Sequence, residues 1–173
     1  ARLGVAAPCR TAEEPLAPTP DAGLMRRAGH FFPEHRVRMV AERMGEEFPS
    51  LVRCLETDSG GELLCECEMV SRAEIELVAR DEASHFLHDI RFRTRMGMGT
   101  CQGAFCSLRA IGALTAADVS FATQPRENLC SFLQERWRGL RPVMWGNQMQ
   151  QIELGRAIYA ATLNLDGADD ESL

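Results

Sequence analysis

Apolar residues recur at helical rather than strand spacing along most of the chain. Val37, Val40, Ala41, Met44 and Phe48 form a stripe at three- and four-residue intervals, which predicts a core-facing helix after Pro33, closed by Pro49. Ser71-Arg72-Ala73-Glu74 fits a capping box, in which each end side chain satisfies a free backbone N–H, and Ile75, Val78 and Ala79 give the helix behind it an apolar face. Residues 84–95 predict a short helix with Phe86, Leu87 and Ile90 inward, broken by Met96-Gly97-Met98-Gly99. A further helix is expected over 101–114, and another over 128–138 with Leu129, Phe132, Leu133 and Trp137 on one side, ending at Gly139. After Pro142, the residues Trp145, Met149, Ile152, Tyr159 and Leu163 lie along one stripe. That stripe reads first as core packing. The sharper alternative is an exposed docking patch around Trp145.

Two regions depart from this pattern. Residues 51–55 and 62–65 flank Thr57-Asp58-Ser59-Gly60-Gly61, which predicts a short hairpin. Pro8, Pro15, Pro18 and Pro20 interrupt any period near the start, so residues 1 to about 30 read as an extended tail. The acidic end from Asp166 reads as frayed. The predicted fold class is therefore mostly α, a small cysteine-bearing helical unit with additional packed helices and an extended N-terminal tail.

Composition adds boundaries to this picture. The 173 residues are 45% hydrophobic and 25% charged, the mix of a globular domain. No apolar run approaches the roughly 18 residues of a membrane-spanning helix, so no transmembrane segment is expected. No basic-then-apolar secretory signal is visible either. Nineteen basic residues, all arginine, against 25 acidic ones leave a net charge of −6, which disfavours a nucleic-acid partner. The first residue is Ala1 rather than Met, and the chain reads as a piece of something longer.

The seven cysteines, at 9, 54, 65, 67, 101, 106 and 130, are odd in number, and four of them form close pairs. In a reducing compartment that arrangement points to a metal or redox site rather than to a disulfide framework. The pattern is Cys65-x-Cys67, 33 intervening residues, then Cys101-x4-Cys106. Four thiolates suit zinc or an iron–sulfur cluster. A C-x-C pair is tighter than the usual zinc knuckle and suits a two-iron cluster held from an irregular loop. Five helical steps would leave Cys101 and Cys106 roughly 140° apart, so both cannot point one way from a regular helix. Cys101 is expected in the entry turn and Cys106 one turn in, near free N–H groups and the positive end of the helix dipole. Arg91, Arg93, Arg95 and Arg109 are candidates to balance the cluster's charge, or simply a solvated face. Cys54 and Cys130 read as buried thiols, Cys9 as part of the tail, and the histidines 30, 35, 85 and 88 as weak ligand candidates.

Cys65-Glu66-Cys67-Glu68, followed by Thr94-Arg95-Met96-Gly97-Met98-Gly99-Thr100-Cys101-Gln102-Gly103-Ala104-Phe105-Cys106, resembles the [2Fe–2S]-binding domain related to bacterioferritin-associated ferredoxin. The small stand-alone ferredoxin has C-x2-C as its second pair. The C-x4-C form here looks like the version attached to flavin-dependent dehydrogenases. The stretch from Phe132 through Trp137, Pro142 and Trp145 to Gln148 is similar to the C-terminal end of the A subunit of anaerobic glycerol-3-phosphate dehydrogenase. Ala7 to Leu16 resembles the segment where the flavoprotein portion of that subunit ends.

The resemblance implies a linker over 1–32, an N-terminal helix and connection over 33–61, the cluster unit over 62–115 and a helical extension over 116–173. It implies a [2Fe–2S] cluster on Cys65, Cys67, Cys101 and Cys106, relaying electrons from an upstream FAD-binding portion toward partner subunits, one of them membrane-anchoring, and quinone. It further implies a cytoplasmic location, peripheral at the inner face of the cell membrane through those partners. The alternatives are a structural four-cysteine zinc docking module, and the cluster domain of another flavin-dependent amine or opine dehydrogenase.

Overall fold

The computed structural model describes residues 21–119 and 124–163. Helices dominate these residues, around one two-stranded sheet. The expected tail over residues 1–20 and the expected fraying from Asp166 lie outside the described residues. From Asp21 onward the chain is folded, against the expectation of a tail to about residue 30. The Asp21 carboxylate accepts from the N–H groups of Gly23 (2.9 Å) and Leu24 (3.3 Å), opening α1 (Ala22–Ala28). Ala28 and Phe32 are buried in the core, which holds this segment down.

α2 (Glu34–Met44) buries Val37, Val40, Ala41 and Met44, as the stripe predicts. Pro49, however, opens a helix instead of closing one. A 3-10 turn, Gly45–Glu47, leads into α3 (Phe48–Leu55), with Pro49 in its first turn where the missing N–H costs nothing. Phe48, Leu51, Val52 and Leu55 are buried at helical spacing, so residues 51–55 are not a strand. β1 (Leu63–Cys65) pairs instead with β2 (Val70–Ser71), antiparallel, with Leu63 opposite Ser71 and Cys65 opposite Val70. Met69, at φ 52°, turns the connection.

The capping box at Ser71 and Glu74 is present and starts α4 (Arg72–Ala79). α5 (Leu87–Thr94) buries Leu87 and Ile90, while Phe86 lies outside at 46% exposure, stacked on His88. The Asp89 carboxylate accepts from the N–H groups of His85 and Phe86 (both 2.9 Å), which places Phe86 at the cap rather than on the buried face. α6 runs Cys106–Ala116, α7 Pro125–Leu140 and α8 Asn147–Leu163. One continuous core takes side chains from α1 through α7. The last stripe only leans on it. Ile152, Tyr159 and Leu163 are half-buried, no α8 residue is buried, and Trp145 is 82% exposed, so the core reading fails for Trp145.

Candidate metal centre

Cys65 ends β1, and Cys67 stands in the turn that leads to β2. The second pair comes from the loop between α5 and α6. Arg95, at φ 68°, ends α5 in a left-handed turn, and Gln102 and Gly103 follow with φ of 50° and 87°. The Gln102 side-chain amide donates to the carbonyls of Met98 (3.2 Å) and Gly99 (3.0 Å), fixing the loop from within. Cys106 is the first residue of α6, and Cys101 lies in the loop before it. The helix therefore starts five residues later than its expected opening near Cys101, because the chain needs this left-handed turn to bring Cys101 round.

The tertiary fold sets Cys106 beside Cys65 and Cys101 beside Cys67. Cys65 and Cys106 are buried, Cys101 is half-buried and Cys67 is exposed. The Cys65 thiol is lowered to about 6, first by the hydrogen bond from Cys106 and then by the N–H groups of Gly97 and Glu68. Cys106 moves the other way, because its proton is shared with Cys65 and because it is buried. Cys67 is also lowered, first by the Cys101 N–H and then by the Thr100 hydroxyl and the Cys101 thiol. Its sulfur stands 3.6 Å from Thr100 Oγ1. No three His, Cys, Asp or Glu side chains among the described residues form a ready metal-holding group. The sulfurs stand as two pairs rather than as a closed cage.

In chemical type the donors, four thiols, are those of a thiolate-bound metal or cluster. Each pair takes one sulfur from each segment, and backbone N–H groups already face two of the sulfurs. The loop also comes unusually close. A Cβ on Gly99 would sit 2.3 Å from Cys67 Cβ, and one on Gly103 would sit 2.7 Å from the Phe132 ring. Gly99→Ala is therefore expected to displace Cys67 and lower bound metal severalfold by elemental analysis, with the helical circular dichroism unchanged. Wild-type metal content would show that the close approach is not needed.

Over this whole region the chain is similar to proteins of one name, the A subunits of anaerobic glycerol-3-phosphate dehydrogenase. It is 33% identical over 173 residues to the one from Escherichia coli K12, covering 99% of this chain and 32% of that protein. It is 38% identical over 167 residues to the A1 form from Haloferax volcanii, covering 95% of this chain and 28% of that protein. The Haemophilus influenzae protein is 31% identical over 166 residues, 95% of this chain and 29% of that protein. The chain is homologous to the A subunits of anaerobic glycerol-3-phosphate dehydrogenase. It spans about a third of the length of these relatives. No protein-family profile matches it, and no solved structure does.

In this chain the arginines divide in a way the sequence does not disclose. Arg109 pairs with Glu66 (2.7 Å) and Arg95 with Glu68 (2.8 Å), so the two glutamates of Cys-Glu-Cys-Glu take up those charges. Arg93 pairs with Asp81. Arg136 of α7, absent from the four arginines expected near the cluster, extends its Nη2 to the Cys101 carbonyl (3.5 Å). Tyr159 of α8 donates its hydroxyl to the Ala104 carbonyl, tying the cysteine loop to the last helix. A tyrosine at position 159 of the apolar stripe was the sequence signal for that tie, and the structure half-buries it. Cys130 is buried and Cys54 half-buried, both as free thiols, while Cys9 lies outside the described residues. His30 and His35 are not brought to the cysteines by any described contact, and the same holds for His85 and His88.

The coupling within the buried pair has a measurable consequence. With Cys106 removed, Cys65 loses the largest cause of its lowered pKa and should return toward the ordinary thiol value of 9.0. At pH 7, above about 6, the Cys65–Cys106 pair of the metal-free wild type should hold one thiolate, and in Cys106→Ala the Cys65 thiol should be mainly protonated. Thiolate ultraviolet absorbance, with Cys65→Ala subtracted, reads the difference. An unchanged titration midpoint would reject the pairing.

Proposed function

We propose that this region binds a [2Fe–2S] cluster through Cys65, Cys67, Cys101 and Cys106 and serves as an electron relay in a flavin-dependent glycerol-3-phosphate dehydrogenase. The observation that carries the reading is that two distant segments bring their thiols together as two pairs, Cys65 with Cys106 in the core and Cys67 with Cys101 toward the surface. When bound, the cluster supplies one-electron chemistry, which suits the step between a two-electron flavin and a quinone pathway. The chain's own residues do the rest. Cys65 and Cys106 anchor the inner side in the core, where water is excluded. Cys67 and Cys101 keep the other side at the surface, within reach of a redox partner. The N–H groups of Gly97, Glu68 and Cys101 stabilise negative sulfur.

The flavin and the glycerol 3-phosphate site belong, on this reading, to the remainder of a longer polypeptide, and the quinone-linked partners include a membrane-anchoring subunit. No helix among the described residues is long and apolar enough to cross a membrane. Peripheral association through those partners is part of the proposal.

Anaerobic reconstitution with ferrous iron and sulfide tests the assignment. Two irons and two inorganic sulfides per chain with visible absorption are expected. A colourless protein that binds one zinc and takes up no sulfide would reject the relay in favour of a structural zinc site. Trp145, with Val143, Leu154 and Ile158, leaves apolar surface at the end of the fold. Trp145→Ala is expected to weaken assembly with the remainder of the dehydrogenase by about tenfold in a pull-down titration. The cluster spectrum should stay as in wild type, and full assembly would remove the docking role.

A further inference from the structure

A half-buried cation without a counter-ion is costly, and two arginines near the cysteines, Arg91 and Arg136, have a buried Nε without a hydrogen-bond partner among the described residues. Arg136 Nε is inaccessible to solvent and has no hydrogen-bond partner among the described residues. None of the ion pairs among those residues includes Arg136. Among the described residues its one polar contact is the long one to the Cys101 carbonyl at 3.5 Å. It lines a cavity of about 280 Å³ between α7 and α8 with Ala104, Trp137, Ile152 and Tyr159. Arg91 is close enough to repel it, and the negative forms of Cys101 and Cys106 are close enough to attract it. Burial is the largest influence on this group, yet a guanidinium stays protonated under such pressure.

Arg95 and Arg109 differ in kind. Each is matched by a glutamate and stands partly in solvent, so its field at the cysteines is offset locally and screened. Arg136 has no such carboxylate among the described residues. The groups within its reach that carry negative charge when ionised at neutral pH are the thiolates of Cys101 and Cys106, since Tyr159 keeps its proton and donates it to the Ala104 carbonyl.

We propose that Arg136 is the counter-charge of the cysteine-bound cluster and sets its reduction potential from the α7–α8 side. This rests on the cluster reading above. A two-iron cluster on four thiolates is negative when oxidised and gains one more negative charge on reduction, as one ferric iron becomes ferrous. A fixed cation that no carboxylate offsets favours the reduced form and raises the potential. Arg136 touches no reacting atom. It acts through the field at Cys101 and Cys106.

The test is a redox titration of the reconstituted chain with dithionite, followed by the electron paramagnetic resonance signal of the reduced cluster. Arg136→Gln is expected to shift the oxidised-to-reduced ratio about tenfold toward the oxidised form at fixed potential, a lowering of about 59 mV for one electron. Arg136→Lys, which keeps the charge, should recover at least half of that shift, and Arg109→Gln should change the ratio less than twofold. Equal potentials for wild type and a fully loaded Arg136→Gln would overturn the proposal. If Arg136→Gln folds but does not retain the cluster, loading of Arg136→Lys supports a need for charge. Loss in both would show that guanidinium shape matters instead, and would reject it. A wild-type chain that takes up no iron and sulfide sinks the cluster reading itself, before any variant is compared.

Discussion

Cys65→Ala is expected to reduce reconstituted iron and inorganic sulfide to near background, while Cys130→Ala keeps both at the wild-type level. The physical contrast is one of position rather than burial, since both thiols are buried. Cys65 closes β1 beside Cys106 and receives the Gly97 and Glu68 N–H groups. Cys130 sits in α7, where burial first and the nearby Glu127 after it push its thiol up, and no second cysteine acts on it. Removing one of four ligands leaves an iron with an open position and an uncompensated charge. Cys67→Ala and Cys101→Ala should give the same loss, and Cys67, being exposed, should do so with least effect on thermal stability. Equal iron loss from Cys130→Ala would overturn the ligand assignment.

Glu74→Ala should produce the largest loss of stability of any single ion-pair change. Arg36 Nη2 and Glu74 Oε1 stand 2.6 Å apart with side chains only 4% and 1% exposed. The same carboxylate accepts from the Ser71 N–H at 2.9 Å, so one residue completes both a buried ion pair and a helix cap. Removing it strands the Arg36 guanidinium in the core with the Met69 carbonyl, at 3.3 Å, as its remaining oxygen partner. The expected cost is about 3–5 kcal/mol, read from the urea midpoint. The exposed pair Arg38–Glu34 is the control, and Glu34→Ala should cost less than about 1 kcal/mol. A Glu74→Ala loss below about 1 kcal/mol would mean that the pair is not the anchor between α2 and the β2–α4 corner. Because that corner carries the hairpin with Cys65 and Cys67, metal retention at elevated temperature should fall along with stability.

What the sequence alone determined here was local. Ser71 and Glu74 are three apart, so a capping box and the start of α4 follow from four letters. The α2 stripe and the grouping of cysteines 65, 67, 101 and 106 are equally short-range patterns. Ambiguity began where one pattern admits two partners. The run 51–55 suits a strand or a buried helix, and the packing of Phe48, Leu51 and Leu55 into the core decided for the helix, with Pro49 at its start. The mate of residues 63–65 was chosen on the far side of the chain's turn at Met69, so the hairpin closes after Cys67 instead of before Cys65. Trp145 belongs to an apolar stripe by spacing, yet it stands 82% exposed.

Charge was the least local property of all. Arg95 and Arg109, close in sequence to the cysteines, are neutralised by Glu68 and Glu66, whereas Arg136 comes from another helix and approaches Cys101 across 35 residues. Helical periodicity is written within three or four positions. Which cation faces which sulfur depends on how α6, α7 and α8 pack, and only the tertiary structure decided it.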